Sequence, residues 1–239
     1  MSFETLRAVA MARRDAFKEQ QGKTVSHYET ARSIGDYESR LPKIDGKGFV
    51  ECLTELGKRK PNFRALDIGC GQGVALTQIA GEYPQSSLSG ISARDFREDL
   101  EDPGVEEFTR EHIRYLVEDA QNLNRVFRGD KFDLIISTWC FYYLADPMNT
   151  LRHAYSLLED NGFLLVHHTG IWLDKQEAEK LQEFWGKQGI EANIPDPTNA
   201  SSISVALRKT RNCKLPMPFF YTDHCTAIPT EAISSDSHR

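Results

Sequence analysis

Hydrophobic residues in the middle of the chain form short runs that alternate with longer amphipathic stretches. Five of these runs are strand candidates: FRALDIG, SSLSGIS, IRYLVED, FDLIIST and GFLLVHH. Helical stretches lie between them: VALTQIAGEYP, two charged segments over residues 94–102 and 105–111, and PMNTLRHAYSLLED. This alternation predicts a doubly wound α/β fold, in which a mainly parallel sheet is covered by helices on both faces.

The helix over residues 147–160 carries the clearest boundary signals. Asp146 has a side chain suited to the N-cap, and Pro147 suits the first helical position because its missing N–H is not needed there. Asn161 and Gly162 then provide a stop. We therefore expect a helix that ends just before the fifth strand.

The two ends of the chain show weaker patterns. Apolar positions recur at helical spacing in residues 3–17 and 46–58, and the polar segment between them is typical of a loop or short helical turns. Residues 174–189 predict a further helix, and ISVALRKT a last strand. The length of 239 residues suits one domain. Its predicted parts are an N-terminal cap with the first helix (1–60), a core (61–212) and a C-terminal extension or tail (213–239).

Composition narrows the function. The net charge is −6 and no long basic run occurs, so we expect a small-molecule partner and no nucleic acid. The five cysteines show no CxxC spacing, which predicts neither a disulfide framework nor a metal site. The N-terminal residues lack the apolar core of a signal peptide, and no run is long enough for a membrane span. We expect a cytoplasmic protein; the sequence leaves its oligomeric state open.

Three glycines follow the first strand at every second position, in the segment ALDIGCGQG. Glycines at such a strand end let the backbone adopt positive φ and approach a ligand closely, although they also suit a plain strand-to-helix turn. A dinucleotide loop would need glycine at position 74, where this chain has Val74. Asp67 would repel a pyrophosphate and favour a cation. The loop therefore indicates a positively charged cofactor without phosphate.

The segment from Asp67 to Gly73 resembles the first motif of the class I S-adenosylmethionine-dependent methyltransferases. Later segments agree in order: Glu118-Asp119-Ala120 resembles the adenine-binding segment, FDLIISTWCFYYLADP the fourth-strand motif and LLEDNGFLLV the turn into the fifth strand. The resemblance implies a Rossmann-like, seven-stranded sheet and S-adenosylmethionine as the cofactor, with S-adenosylhomocysteine as its product. It implies these cofactor-binding residues: Asp67, Gly69, Cys70, Gly71, Gly73, Ser92, Asp119, Ala120 and Thr138.

One position departs from the family pattern. The second strand of these enzymes usually ends in an acidic residue that accepts both ribose hydroxyls, whereas this chain has Ser92 there. Either Ser92 takes one hydroxyl or Asp95 reaches back from the following turn. We favour Ser92, since Asp95 is equally explained as a negative charge at a helix start.

The implied reaction is a displacement at a sulfonium methyl, in which the enzyme mainly aligns the nucleophile and the methyl group. An acceptor that carries a proton also needs a base. His167 is the candidate, with His168 on the substrate side, since neighbouring strand residues point to opposite faces and at most one can aim into the site. Either histidine is equally explained as a hydrogen-bonded residue under a helix.

Aromatic residues follow the fourth strand. Tyr142 and Tyr143 are catalytic candidates because each phenol needs a polar partner, Trp139 is a candidate for the substrate wall, and Phe141 is predicted to pack in the core. Cys70 and Cys140 are interpreted as packing residues, because displacement at a sulfonium needs no covalent enzyme intermediate.

The segments FYYLADPMNTLRHAYSLL and GIWLDK also resemble, more weakly, the histamine N-methyltransferase branch of the family, which favours a small amine as the acceptor. Tyr28, Arg32 and Tyr37 are candidates for a lid over the cofactor or substrate, or else polar residues of a surface loop.

Two other functions stay open. One is an aminopropyl-type transferase, which would need more acidic residues than this chain offers, and the other is a non-catalytic module that binds the cofactor.

Overall fold

The computed structural model describes residues 33–97, 103–171, 173, 175–195, 203–210 and 214–216, with Pro103 and Tyr142 described in their backbone alone. The helix predicted over residues 3–17, the candidates Tyr28 and Arg32, and nearly all of the predicted tail lie outside these residues.

A seven-stranded sheet forms the centre of the fold. Its strands are β1 (Arg64–Ile68), β2 (Ser87–Ser92), β3 (Ile113–Val117), β4 (Phe132–Thr138), β5 (Leu158–His167), β6 (Glu191–Asn193) and β7 (Val205–Arg208). The helices are α1 (Ile34–Arg40), α2 (Phe49–Arg59), α3 (Val74–Glu82), α4 (Pro103–His112), α5 (Leu123–Val126), α6 (Pro147–Ser156) and α7 (Lys175–Lys187). Among the described residues, no helix is both long and apolar enough to cross a membrane.

The strands lie in the order β3-β2-β1-β4-β5-β7-β6. The pairs among β1 to β5 are parallel, and β7 runs antiparallel to both β5 and β6. This arrangement confirms the predicted doubly wound, mainly parallel sheet. The chain builds outward from β1 to β3 and then returns to β4, so the order reverses between β1 and β4. Ligands of such sheets bind at that reversal, beyond the carboxyl ends of the strands.

Two hydrophobic clusters cover the two faces of the sheet. Leu66 and Ile68 of β1 belong to the cluster that also holds Trp185 of α7, whereas Ala65 belongs to the cluster that holds Tyr37 and Phe49. This follows from the period of two along a strand, which sends neighbouring side chains to opposite faces. Both faces of the sheet are therefore buried from solvent, as expected for a parallel sheet between helix layers.

Some element boundaries differ from the prediction. Helix α6 ends at Ser156, before the predicted stop, because Leu158 already pairs with Phe132 as the first residue of β5. The predicted helix at 94–102 is wrong for residues 94–96, which form no helix. Instead, the carboxylate of Asp95 binds the guanidinium of Arg97. Strand β6 carries no apolar run and was not predicted.

Candidate functional site

The glycine loop joins β1 to α3 at the carboxyl end of the sheet. Gly69, Gly71 and Gly73 have φ angles of 81°, 55° and 79°, a region in which a β-carbon is strained. A Cβ at Gly69 would also overlap the Cβ of Cys140, which follows β4. The close approach of these two loops therefore requires glycine at position 69, and the positive φ angles are those that the sequence predicted for this strand end.

Asp67 lies at the end of β1 with a side chain that is only 1% exposed. Its Oδ2 accepts a hydrogen bond from the hydroxyl of Tyr37 at 2.7 Å, while its Oδ1 is buried without a hydrogen-bond partner. Burial raises the pKa of Asp67 to about 7, and the bond from Tyr37 acts in the opposite direction. The site thus contains a carboxylate oxygen that still needs a donor or a cation.

Tyr37 reaches this carboxylate from α1. Ser33 and Asp36 form a capping box that starts this helix, and the ring of Tyr37 packs against Phe49 with centroids 5.8 Å apart. The side chain is buried, so the alternative of a polar surface loop is wrong for Tyr37. The structure brings this substrate-side candidate into contact with the carboxylate of Asp67, two residues before the first glycine of the loop.

The ends of β2 and β3 lie beside the glycine loop. Ser92 is buried, and its carbonyl accepts a hydrogen bond from the N–H of Glu118 at 2.9 Å, which places Ser92 next to the segment that contains Asp119. Asp119 is exposed, and its Oδ1 caps the short turn Ala120–Asn122 by accepting from the N–H of Gln121. The structure therefore brings together Ser92, Asp119 and Ala120, all predicted to bind the cofactor.

Tyr115 of β3 is a site residue that sequence reasoning missed. Its hydroxyl lies 2.6 Å from the carbonyl oxygen of Gly71 and 3.1 Å from that of Arg94, and so links the glycine loop to the segment after β2. The guanidinium of Arg97 lies over its ring at 4.3 Å. The only sequence signal for Tyr115 was its place in an apolar strand, because a buried phenol needs a polar partner.

The segment after β4 turns sharply beside the loop. Thr138 ends the strand in a buried position, and Trp139 adopts a left-handed backbone with a φ of 63°. Phe141 is fully buried in the core, as predicted. Tyr143 lies with it in the short turn Phe141–Tyr143 and is partly buried, while the side chain of Tyr142 lies outside the described part of the structure.

Both histidines at the end of β5 contact Trp139. The ring of His168 stacks on the indole with centroids 4.0 Å apart, and the ring of His167 meets it edge-on at 5.4 Å. The two rings therefore lie on the same side, and the alternation along a strand on which the prediction relied does not separate them. His168 has a φ of 55°, and this left-handed backbone ends the strand alternation on which the prediction depended.

Ser204, just before β7, holds this group of rings in place. Its Oγ lies 3.2 Å from Nδ1 of His167 and accepts from the backbone N–H of His168 at 3.3 Å. Burial, and then the positive charge of Arg40, lower the pKa of His168, so that its ring is neutral near pH 7. We call Trp139, His167 and His168 the ring cluster.

Cys70 and Cys140 lie next to Asp67 and Gly69 but are poor nucleophiles. Burial raises the pKa of Cys140 to about 12 and that of Cys70 well above its usual range. Both are therefore thiols at neutral pH, which fits the predicted packing role. No group of three or more histidine, cysteine or carboxylate side chains suited to a metal ion is present within the described residues.

Comparisons with known proteins agree on one family. The family model described as a methyltransferase domain matches residues 40–233. Malonyl-[acyl-carrier protein] O-methyltransferase of Bacillus cereus is 23% identical over 164 residues, which are 69% of this chain and 57% of that protein. Malonyl-[acyl-carrier protein] O-methyltransferase 1 of Ilyobacter polytropus is 31% identical over 109 residues, which are 43% of this chain and 37% of that protein. The chain thus spans about half the length of these curated relatives.

A solved structure shares the fold. The plantazolicin methyltransferase BpumL, in complex with SAH, superposes with a TM-score of 0.55 at 14% identity. The match covers 87% of this chain and 98% of that one.

Proposed function

This chain belongs to the methyltransferase domain family, and from that premise we propose that it transfers a methyl group from S-adenosylmethionine to a small-molecule acceptor. The resemblance to class I S-adenosylmethionine-dependent methyltransferases that the glycine loop indicated is thereby confirmed at the level of the family. The roles of individual residues and the nature of the acceptor are part of the proposal.

The unpartnered Oδ1 of Asp67 carries the proposal. A buried carboxylate with one oxygen left without a partner is unfavourable by itself, and a cationic ligand group removes that penalty. S-adenosylmethionine offers a cation at its aminoacyl end. The donor set therefore fits this cofactor: Asp67 with Gly69, Cys70, Gly71 and Gly73 would hold the aminoacyl end and ribose.

Other strand ends would hold the rest of the cofactor. Ser92, Asp119 and Ala120 are assigned to the nucleoside, and Thr138 to the edge of the pocket beside β4. Asp95 is a weaker candidate for the ribose, since its carboxylate is already engaged by the guanidinium of Arg97.

When bound, S-adenosylmethionine supplies a methyl group on a sulfonium and leaves as S-adenosylhomocysteine. The task of the chain is then to orient the acceptor and to exclude water. The ring cluster and Tyr143 form the acceptor side, with Tyr142 as a further candidate by sequence. The neutral imidazole of His168 is suited to accept a proton, and His167 is held by Ser204 in a position to do the same.

The acceptor class is the open part of this function. The curated relatives are named for O-methylation of malonyl-[acyl-carrier protein], and the solved neighbour for plantazolicin, so their names offer no support for an amine in particular. A small amine, which the sequence favoured, remains one form of the proposal. It would use a neutral histidine to remove the ammonium proton.

Calorimetry with S-adenosylhomocysteine tests the proposal. Wild-type protein should bind it, and Asp67→Asn should bind it at least about tenfold more weakly, because the variant removes a charge-assisted contact. Asp160→Asn, an exposed carboxylate after α6, is the matched control and should leave the affinity unchanged. Undetectable binding by the wild-type protein would overturn the proposal.

Transfer of a tritiated methyl group to a panel of small acceptors then tests turnover. Binding of S-adenosylhomocysteine without transfer to any carboxylate, amine or phenol of the panel would favour a non-catalytic binding module. Transfer that His167→Ala slows more than His168→Ala would identify His167 as the base.

A further inference from the structure

Arg40 lies one turn beyond Tyr37 in helix α1. Residues three apart lie on the same side of a helix, so Arg40 follows Tyr37 along the face that covers the site. The hydrogen bond from Tyr37 to Asp67 fixes the position of this helix over the end of β1. The positive charge of Arg40 contributes to the lowered pKa of His168, whose ring stacks on Trp139.

The guanidinium of Arg40 is incompletely bound. Its Nε is buried and has no hydrogen-bond partner. Within the described residues no ion pair includes Arg40, whereas Arg97 binds Asp95 and Arg64 binds Asp130. A buried guanidinium N–H without an acceptor is unfavourable, and a ligand oxygen would satisfy it.

A purely structural role explains Arg40 less well. A cation in the last turn of a helix interacts favourably with the helix dipole, and Arg40 lies in the last turn of α1. That effect needs only a charge near the helix end, which a fully solvated side chain provides. It gives no reason to bury Nε without an acceptor beside the ring cluster.

We propose that Arg40 binds a carboxylate of the methyl acceptor, so that the acceptor lies between this guanidinium and the ring cluster. The guanidinium fork matches the two oxygens of a carboxylate, and the flat faces of Trp139 and His168 suit the apolar part of the same molecule. This inference rests on the proposed function, because it names the acceptor class for that reaction. The bound carboxylate is either the nucleophile or an anchor beside it.

Three probes with the same six-carbon chain but different head groups test how the charge of the ligand affects binding: hexanoate, hexanamide and hexylamine. Each is titrated into protein saturated with S-adenosylhomocysteine. We expect hexanoate to bind about tenfold more tightly than hexanamide, and hexylamine to bind no better than the amide. Arg40→Gln should abolish this preference, and Arg40→Lys should keep part of it because the charge remains.

Two controls distinguish failure of this inference from failure of the proposed function. Arg152→Gln removes an exposed arginine of α6 and should leave the preference for hexanoate intact. Arg40→Gln should bind S-adenosylhomocysteine as the wild type does. If S-adenosylhomocysteine binds but hexanoate is not preferred, or if no probe binds, the assignment of Arg40 is overturned while the cofactor site stands.

Methyl transfer to hexanoate also identifies the atom that is methylated. A tritiated methyl group on hexanoate would be released as methanol by alkali, because the product is an ester. In that reaction a carboxylate oxygen bonds to the methyl carbon, the carbon–sulfur bond breaks with its electron pair going to sulfur, and no proton moves. Tight binding without transfer would instead identify the carboxylate as the anchor.

Discussion

The hydroxyl of Tyr37 donates a hydrogen bond to Oδ2 of Asp67 at 2.7 Å, and both side chains are buried. This contact joins α1 to β1. It occupies one carboxylate oxygen and leaves Oδ1 without a partner, so α1 would shape the proposed cofactor site.

Tyr37→Phe should weaken binding of S-adenosylhomocysteine about tenfold, since a hydrogen bond to a charged group contributes roughly 1.5–3 kcal/mol. Loss of this donor also raises the pKa of Asp67 further, which reduces its ionised fraction. Calorimetry near neutral pH measures the effect. Tyr83→Phe, whose ring packs edge-on against Phe63, is the matched control. An unchanged affinity in Tyr37→Phe would show that the contact is only structural.

The affinity for S-adenosylhomocysteine should rise with pH between about 6 and 8. The pKa of Asp67 is about 7, and its ionised form favours a cation, so the competent fraction grows about tenfold over this range. Asp67→Asn should not show this rise in affinity with pH. Calorimetric titrations of both proteins with S-adenosylhomocysteine at several pH values measure the difference. Parallel profiles would contradict the assignment.

Asp67 should make the unliganded protein less stable as the pH rises. Its pKa is raised on folding, so between about pH 4 and pH 7 the unfolded chain has released a proton that the folded protein still holds. The free energy of unfolding therefore falls across this window and stays lower above it. Thermal unfolding should show Asp67→Asn gaining stability over the wild type from pH 5 to pH 8, and an unchanged difference across this range would contradict the prediction.

Gly69→Ala should lower the free energy of unfolding by roughly 1–3 kcal/mol, because the residue has a φ of 81° and a Cβ there would overlap that of Cys140. Gly81→Ala is the control. Gly81 lies within α3 with no atom within 4 Å of a new Cβ, so alanine should stabilise the protein by about 0.5–1 kcal/mol. Equal effects in chemical denaturation would show that the turn tolerates a side chain.

Cys70 and Cys140 should react slowly with iodoacetamide near pH 8 in the folded protein, because burial keeps both as thiols. Mass spectrometry of the peptides measures the reaction, and the same protein in denaturant provides the reference. Cys140→Ala should retain methyl transfer. Rapid modification of either residue in the folded state would indicate a reactive thiolate and would contradict the packing role.

Much of the fold could be predicted because its signals are local. The apolar runs that became β1 to β5 and the capping residues of α6 act within a few positions of the chain. Strand β6 was not predicted because it has no apolar run and is defined by its pairing with β7. The division of the chain into cap, core and tail stays a prediction, as do the roles of the predicted site residues.

The sequence by itself determined the family and the doubly wound sheet. It also predicted a cationic ligand at the glycine loop, because glycine spacing and an adjacent carboxylate are local requirements of such a ligand. The tertiary structure alone decided what surrounds that loop. Tyr37 meets Asp67 across 30 positions and Tyr115 meets Gly71 across 44. Such contacts depend on how helices and strand ends are oriented, and the left-handed backbones of Trp139 and His168 that build the ring cluster are fixed by packing that no short pattern encodes.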